Sequence, residues 1–279
     1  MPPDAYTEGS WVEPVSRRCY GYRLWHPDHA RALLVIVHGF GEHGGRYHSF
    51  AQALADQGIA VAVPDLWAHG RSNGPRGDLN VVTECAAQLV AMTQEVFLPQ
   101  SEQSTYAVFG HSFGGLAAIL WALNHPGALR RLMVQSPLLE VGFPIPTWKT
   151  TAARIFEKYW PDFSFAMQLD VTGLSHDPAV VAAYRNDPLV HHRMSARTYG
   201  SILRARDEIM ERTPTLRVPV LLLCGSQDRI ISLEAARRWF DLVLSEKQVV
   251  VFPGSYHELH HETVRAEVLQ RVAAWTLQG

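Results

Sequence analysis

The sequence predicts an α/β fold built on a mostly parallel central sheet, and three observations carry that expectation. Short, near-continuous apolar runs recur at 32–37, 59–63, 105–109, 132–135, 218–224 and 248–252. Segments with helical spacing fall between them, at 47–57, 81–97, 115–124, 233–244 and 262–277. The alternation then breaks over 137–216, where proline, aromatics and helical spacing occur without a convincing strand.

A strand that is apolar at every position is buried on both faces, as in a parallel sheet covered by helices. The opening stretch, 11–25, supplies one or two antiparallel edge strands. The run from Ala32 to Val37 is a buried strand and ends at His38-Gly39-Phe40-Gly41, where the glycines let the chain fold back. The run 59–63 leads to Asp65. Tyr106-Ala107-Val108-Phe109 leads directly into Gly110-His111-Ser112-Phe113-Gly114, followed by Gly115 and a helix-like stretch. A serine leaving a strand and entering a helix in a G-x-S-x-G setting sits on a tight, strained turn that exposes its hydroxyl at the sheet edge.

The interruption divides the chain into a core, 1–136 with 217–279, and an insertion, 137–216, expected to form a helical cap over the C-terminal edge of the sheet, where ligands bind in open α/β folds. Within it, Trp148, Ala152, Ile155 and Tyr159 recur at steps of four, three and four, one face of an amphipathic helix. That face is expected either to pack within its own domain or to form the inner wall of a tunnel. Gly39, His111, Phe143, Ile145, Trp148 and Ile155 are the expected substrate-binding residues.

At 279 residues and 47% hydrophobic, the chain can bury one sizeable core. A net charge of -2 with no block of like charges argues against a nucleic-acid partner. Cys19, Cys85 and Cys224 are odd in number and widely spaced, so a reducing, cytoplasmic setting is expected rather than a disulfide framework. The start, Met1-Pro2-Pro3-Asp4-Ala5, lacks the basic and apolar character of a secretory signal. No apolar run approaches the ~20 residues of a membrane span, so membrane contact is expected to be peripheral at most.

A serine hydroxyl is a weak nucleophile and needs a base that is oriented by a third group. Fourteen histidines leave the base open by composition, so position must choose. His257 follows the last apolar run and the loop Pro253-Gly254-Ser255-Tyr256, while Asp228 follows the preceding run and the turn Gly225-Ser226-Gln227. Ser112, Asp228 and His257 therefore share one sheet edge in the order Ser…Asp…His of α/β-hydrolases. Asp65 is the rival acid, and Asp228 as a mere helix cap is the plain alternative. Backbone N–H groups of Phe113 and Phe40 are the expected oxyanion donors. His38 is expected to brace the loop rather than act as a base. His257-Glu258-Leu259-His260-His261 also satisfies the H-E-x-x-H zinc pattern, but Pro253 and Gly254 place His257 in a loop rather than on the continuous helix that pattern requires.

Several strings resemble the monoacylglycerol lipases and lysophospholipase-like serine hydrolases. The first is His38-Gly39-Phe40-Gly41-Glu42-His43-Gly44-Gly45-Arg46-Tyr47, and the next are Asp65…His69-Gly70-Arg71-Ser72 and Gly110-His111-Ser112-Phe113-Gly114-Gly115. Asn186-Asp187-Pro188-Leu189, Gly225-Ser226-Gln227-Asp228 and Tyr256-His257-Glu258-Leu259-His260 complete the set. The resemblance implies a cytosolic or membrane-peripheral ester hydrolase that needs no cofactor or metal and acts on the single acyl chain of a monoglyceride. It implies Ser112 as nucleophile, His257 as base, Asp228 as its orienter and Phe40 and Phe113 as oxyanion donors. Animal lipases of this type carry a small residue at the position of Phe40 and a methionine at that of Phe113, so two phenyl rings are expected to narrow the acyl site. Alternatives remain: a lysophospholipase or general carboxylesterase, an aminopeptidase-like enzyme, and a non-catalytic binding module. For the aminopeptidase, Glu140, Glu157, Asp162, Asp170 and Asp177 are the carboxylates available to hold an amino group.

Overall fold

The computed structural model describes residues 6–144, 147–167 and 169–278. Its elements run in chain order as β1 (Tyr6–Val12), β2 (Cys19–Trp25), β3 (Ala32–Val37), α1 (His48–Ala55), β4 (Ile59–Pro64), α2 (Val82–Met92), α3 (Leu98–Ser101), β5 (Tyr106–His111), α4 (Phe113–Asn124) and β6 (Leu129–Gln135). There follow α5 (Thr147–Tyr159), β7 (Ser164–Ala166), α6 (Pro178–Asn186), β8 (Arg193–Ser195), α7 (Ala196–Arg212), β9 (Val220–Gly225), α8 (Leu233–Leu242), β10 (Lys247–Phe252) and α9 (Arg265–Leu277).

Among the described residues the main sheet has eight strands in the order β1-β2-β4-β3-β5-β6-β9-β10. β1 and β2 pair antiparallel, β2 pairs antiparallel with β4, and the remaining pairs are parallel. In register, Leu34 lies between Val61 and Ala107, so three apolar runs of the sequence meet side by side at the sheet centre. One face packs on α1 and α9, with Phe50, Leu54, Val268 and Val272 in a single buried cluster. The other face packs on α2, α4 and α8. α7 adds Ile202, Ala205 and Ile209 to that second cluster.

Three local expectations are corrected. The segment 137–216 does contain strands: β7 and β8 form an antiparallel pair. Three residues each are too few to show a period of two in the sequence. β10 was expected to be buried, yet most of its residues are exposed or half-exposed, because it is the outermost strand of the sheet. The single helix expected over 81–97 is instead α2 followed by a π-helical turn at Thr93–Phe97. That wider turn keeps Phe97 fully buried.

Candidate active site

Ser112 joins β5 to α4 with φ 53 and ψ -116, a region that L-residues rarely occupy. Two glycines make the turn sterically possible. A Cβ on Gly110 would lie 2.3 Å from Gly114 O, and one on Gly114 would lie 2.0 Å from Val37 O. The turn is fixed by backbone bonds: Ser112 N–H donates to Gln135 O at 3.0 Å, and Ser112 O accepts from Leu138 N–H at 2.9 Å. As the first residue of α4, Phe113 presents an N–H that has no acceptor in its own helix.

His257 and Asp228 come from loops beyond β10 and β9. His257 Nδ1 lies 2.7 Å from Asp228 Oδ2, and both side chains are only 3% exposed. Asp228 Oδ1 accepts from the N–H groups of Ile230 and Ile231 at 2.9 and 3.0 Å, which fixes the carboxylate. Burial pushes the Asp228 pKa up, but His257 and these two N–H groups outweigh it and hold it below the usual value. Burial pulls His257 down, while the Asp228 carboxylate leaves it above the ordinary histidine value. With Nδ1 engaged by Asp228, Nε2 is the free nitrogen of the neutral ring. Ser112 and His257 line the same cavity.

The loop after β3 is held by hydrogen bonds of its own side chains and backbone. His38 Nδ1 bonds Gly39 O at 2.7 Å and its Nε2 accepts from Leu66 N–H at 3.0 Å, so His38 is a brace. Gly39 N–H donates to Glu42 Oε1 at 2.6 Å. Gly41 has φ +82, and a Cβ there would lie 2.5 Å from His191 O. Asp65 accepts from Gly44 and Arg71 N–H and faces Arg23, so it fixes the next loop rather than a histidine. Asp187, from the Asn-Asp-Pro-Leu string, accepts from His43 Nε2 at 2.8 Å and ties the segment 137–216 to the same loop.

Sequence reasoning missed the buried charges beneath these loops. Arg46 reaches Glu42 Oε2 at 2.5 Å, Glu258 Oε1 at 2.5 Å and Glu258 Oε2 at 2.7 Å. Burial alone would raise both carboxyls, but Arg46 holds them below the glutamate range. The Glu42–Arg46 spacing of four was visible within the loop string, whereas the link to Glu258 is purely tertiary. Gln135 was also missed; its amide nitrogen donates to Nδ1 of His111 and of His260, each at 2.9 Å. His111, 4.6 Å from the His257 ring, is pushed down to about 4 by burial and by His257.

The cavity above Ser112 has a volume of about 910 Å³. Of the residues expected to bind substrate, Gly39, His111, Phe143 and Trp148 line it, together with Phe40. Ile155 does not; it is half exposed on the outer side of α5, and Phe156 takes the inner position. The stripe was read one residue out of phase, since a Trp148–Ala152–Phe156 face also fits helical spacing. Ile145 lies outside the described residues. Phe113 is completely buried in the core and its ring does not line the cavity, so the expected narrowing falls to Phe40 alone. The two rings meet edge to face at 5.7 Å.

The zinc pattern is dismantled by its own hydrogen bonds. His257 Nδ1 serves Asp228, and His261 uses Nδ1 for Glu258 and Nε2 for Arg46 O. Glu258, His260 and His261 bring ligand atoms within 4.8 Å of one another, but the Arg46 guanidinium already occupies the Glu258 carboxylate.

Residues 28–264 match the family described as "Serine aminopeptidase, S33". The chain is 31% identical to the monoacylglycerol lipase of Mycolicibacterium smegmatis, over 91% of each chain. It is 32% identical to the monoglyceride lipase of Homo sapiens, over 92% of this chain and 86% of that one. The crystal structure of the Paleococcus ferrophilus monoacylglycerol lipase superposes with a TM-score of 0.84 at 29% identity, covering 92% of this chain and 97% of that one. Sequence and architecture agree over the same span, and the chain belongs to this family of α/β-hydrolases as a serine hydrolase.

Proposed function

We propose that the protein hydrolyses monoacylglycerols to a fatty acid and glycerol, through an acyl-enzyme on Ser112. The observation that supports this most is the shape of the site: one large, mainly apolar-lined cavity reaches a serine on a strained turn beside a buried His–Asp pair. His257 Nε2 takes the proton of Ser112 Oγ as the hydroxyl attacks the ester carbon, and Asp228 orients and stabilises the resulting imidazolium. The N–H groups of Phe40 and Phe113 receive the oxyanion, a contribution of a few kcal/mol in the transition state. The imidazolium then protonates the departing glycerol oxygen. Water, activated by the same histidine, releases the fatty acid.

The insertion, 137–216, is proposed as a cap whose inner side holds the acyl chain through Phe143, Trp148 and Phe156. Its outer side exposes Ile155, Tyr159 and Trp160, which suits peripheral contact with a lipid surface. No helix among the described residues is long and apolar enough to cross a membrane.

An aminopeptidase needs a free carboxylate for the substrate's ammonium group, and the candidates are committed. Glu140 pairs with Arg238, Glu157 with Arg204 and Asp162 with Arg197, while Asp170 accepts from Thr172 and Asp177 caps α6. A second reading, lysophospholipid hydrolysis, has one supporting observation: Arg154 lines the cavity and suits a phosphate, while Arg206 beside it is paired with Asp207.

The test is a hydrolysis series of monoacylglycerols of increasing length, with di- and triacylglycerols, a lysophospholipid, an aminoacyl amide and an aryl ester alongside. Preference for monoacylglycerols, lost in Ser112→Ala, is expected. Preference for the lysophospholipid would transfer the assignment to the second reading, and full activity in Ser112→Ala would overturn both.

A further inference from the structure

The loop that carries His257 is held from outside the sheet as well as by it. His257 N–H donates to Gly173 O at 3.3 Å and Glu258 N–H to Leu174 O at 2.8 Å. Ser175 Oγ donates to His261 O at 2.9 Å. Residues 173–176 belong to the insertion, between β7 and α6.

At the end of this strip stands Glu262, whose side chain is entirely withdrawn from solvent. Its Oε1 accepts from Tyr256 N–H at 3.0 Å, from His176 N–H at 3.3 Å and from His176 Nδ1 at 2.7 Å. Its Oε2 accepts from Thr263 N–H at 3.0 Å. The His176 ring stacks on Tyr256 with centroids 3.7 Å apart. Arg229, the neighbour of Asp228, donates to Tyr256 OH at 3.0 Å. A buried carboxylate is tolerated only with such partners, and one whose oxygens are shared between two chain segments holds those segments in register.

We propose that Glu262 is a positioning residue for His257, and that the Glu262–His176 pair latches the insertion to the loop of the general base. This rests on the reading of His257 as the base. Glu262 touches no reacting atom and acts through Tyr256 N–H, one peptide before His257. The peptides on either side of His257 then have acceptors in Glu262, Gly173 and Leu174, which sets the direction of the imidazole toward Asp228. Any shift of 173–176 would thereby be transmitted to the base. Around the latch stand Arg229 and Tyr256, and around His257 stand Asp228, Glu258, Glu42 and His111.

The experiment uses the full chain and a soluble aryl ester, with rates normalised to the fraction of Ser112 that reacts with a phosphonate. Glu262→Gln keeps the shape and removes the charge, while His176→Phe keeps a ring on Tyr256 and removes the bond to Glu262. Each variant is expected to lose about tenfold in kcat with little change in KM, because misplacement of a base costs rate rather than binding. The acid limb of kcat/KM should move down toward the ordinary histidine value as the His257–Asp228 pair loosens. The double variant should be no worse than either single one. His176→Asn, whose amide can donate to Glu262, should recover most of the loss. If Glu262→Gln does not fold, His176→Phe decides alone. Unchanged kcat and acid limb in His176→Phe would overturn the latch, as would a loss that vanishes after normalisation. Retained activity in His257→Ala would instead remove the base assignment, and the latch with it.

Discussion

The C-terminal edge of the sheet and the outer side of α5 are opposite solutions to the placing of side chains. At the sheet edge the buried charges are paired: Asp228 with His257 and two N–H groups, and Glu42 and Glu258 with Arg46, while the Gln135 amide nitrogen serves two histidines and its Oε1 has no partner among the described residues. On α5, Trp148, Ile155 and Tyr159 are half exposed or more. Buried polar networks tolerate one arrangement because each unmet group is costly, whereas an exposed apolar surface specifies only what covers it. On the proposed function, the reaction chemistry belongs to the first region and contact with a lipid surface to the second. Substitutions should separate the two.

The largest effect is expected at the base. In Asp228→Asn the carboxamide favours the wrong tautomer of His257, and kcat should fall about ten-thousandfold with the fold intact. The pH dependence sharpens the point. Because Asp228 holds His257 above the ordinary histidine value in the wild type, activity should be lost as pH falls through that raised value, and the acid limb of any residual activity in the variant should lie lower. A stopped assay across pH on both proteins measures this; a wild-type acid limb no higher than that of the variant would contradict the pairing.

Arg46 comes next, and its effect is on stability. Arg46→Met leaves Glu42 and Glu258 buried without their cation, at a cost of about 3–5 kcal/mol. The sign with pH follows from the carboxyls. Their depressed values mean that the wild-type contribution is present above the ordinary glutamate value and is lost as pH falls below it. In the variant, burial without Arg46 raises both carboxyls, so protonation relieves the strain and the deficit against wild type should shrink from pH 7.5 to pH 5. Urea unfolding at the two pH values is the measurement. An equal deficit at both would mean that the carboxylates find other partners.

These effects also show why some of the site was legible in the sequence and some was not. The strands were readable where they are apolar along their length, and Ala32–Val37 matches its run to the residue. Ser112, Asp228 and His257 were readable because each follows a strand, so sequence position fixes spatial position in a parallel sheet. Glu262, Gln135 and the Arg46–Glu258 link were not, since nothing local distinguishes a buried carboxylate from an exposed one 212 residues away from its partner. The phase of α5 was lost for a related reason: with Trp148 and Ala152 common to both stripes, only packing decides between Ile155 and Phe156.

That phase error supplies the smallest and most selective test. Ile155 and Tyr159 lie on the outer side of α5 and not in the cavity lining. Replacing both with serine should change stability by no more than about 0.5 kcal/mol, because neither is a core residue. Turnover of a soluble aryl ester should be unaffected. Partitioning onto phospholipid vesicles should fall by roughly threefold to tenfold per residue, since each loses apolar area worth about 1 kcal/mol in an interface. Co-sedimentation with vesicles and hydrolysis of vesicle-borne monoacylglycerol measure the two arms. Unchanged partitioning would mean that the outer face of α5 does not meet the lipid. A matching loss on the soluble ester would mean that this face acts through the cavity, and the division between a committed sheet edge and an open cap would fail at the residues where it is drawn most sharply.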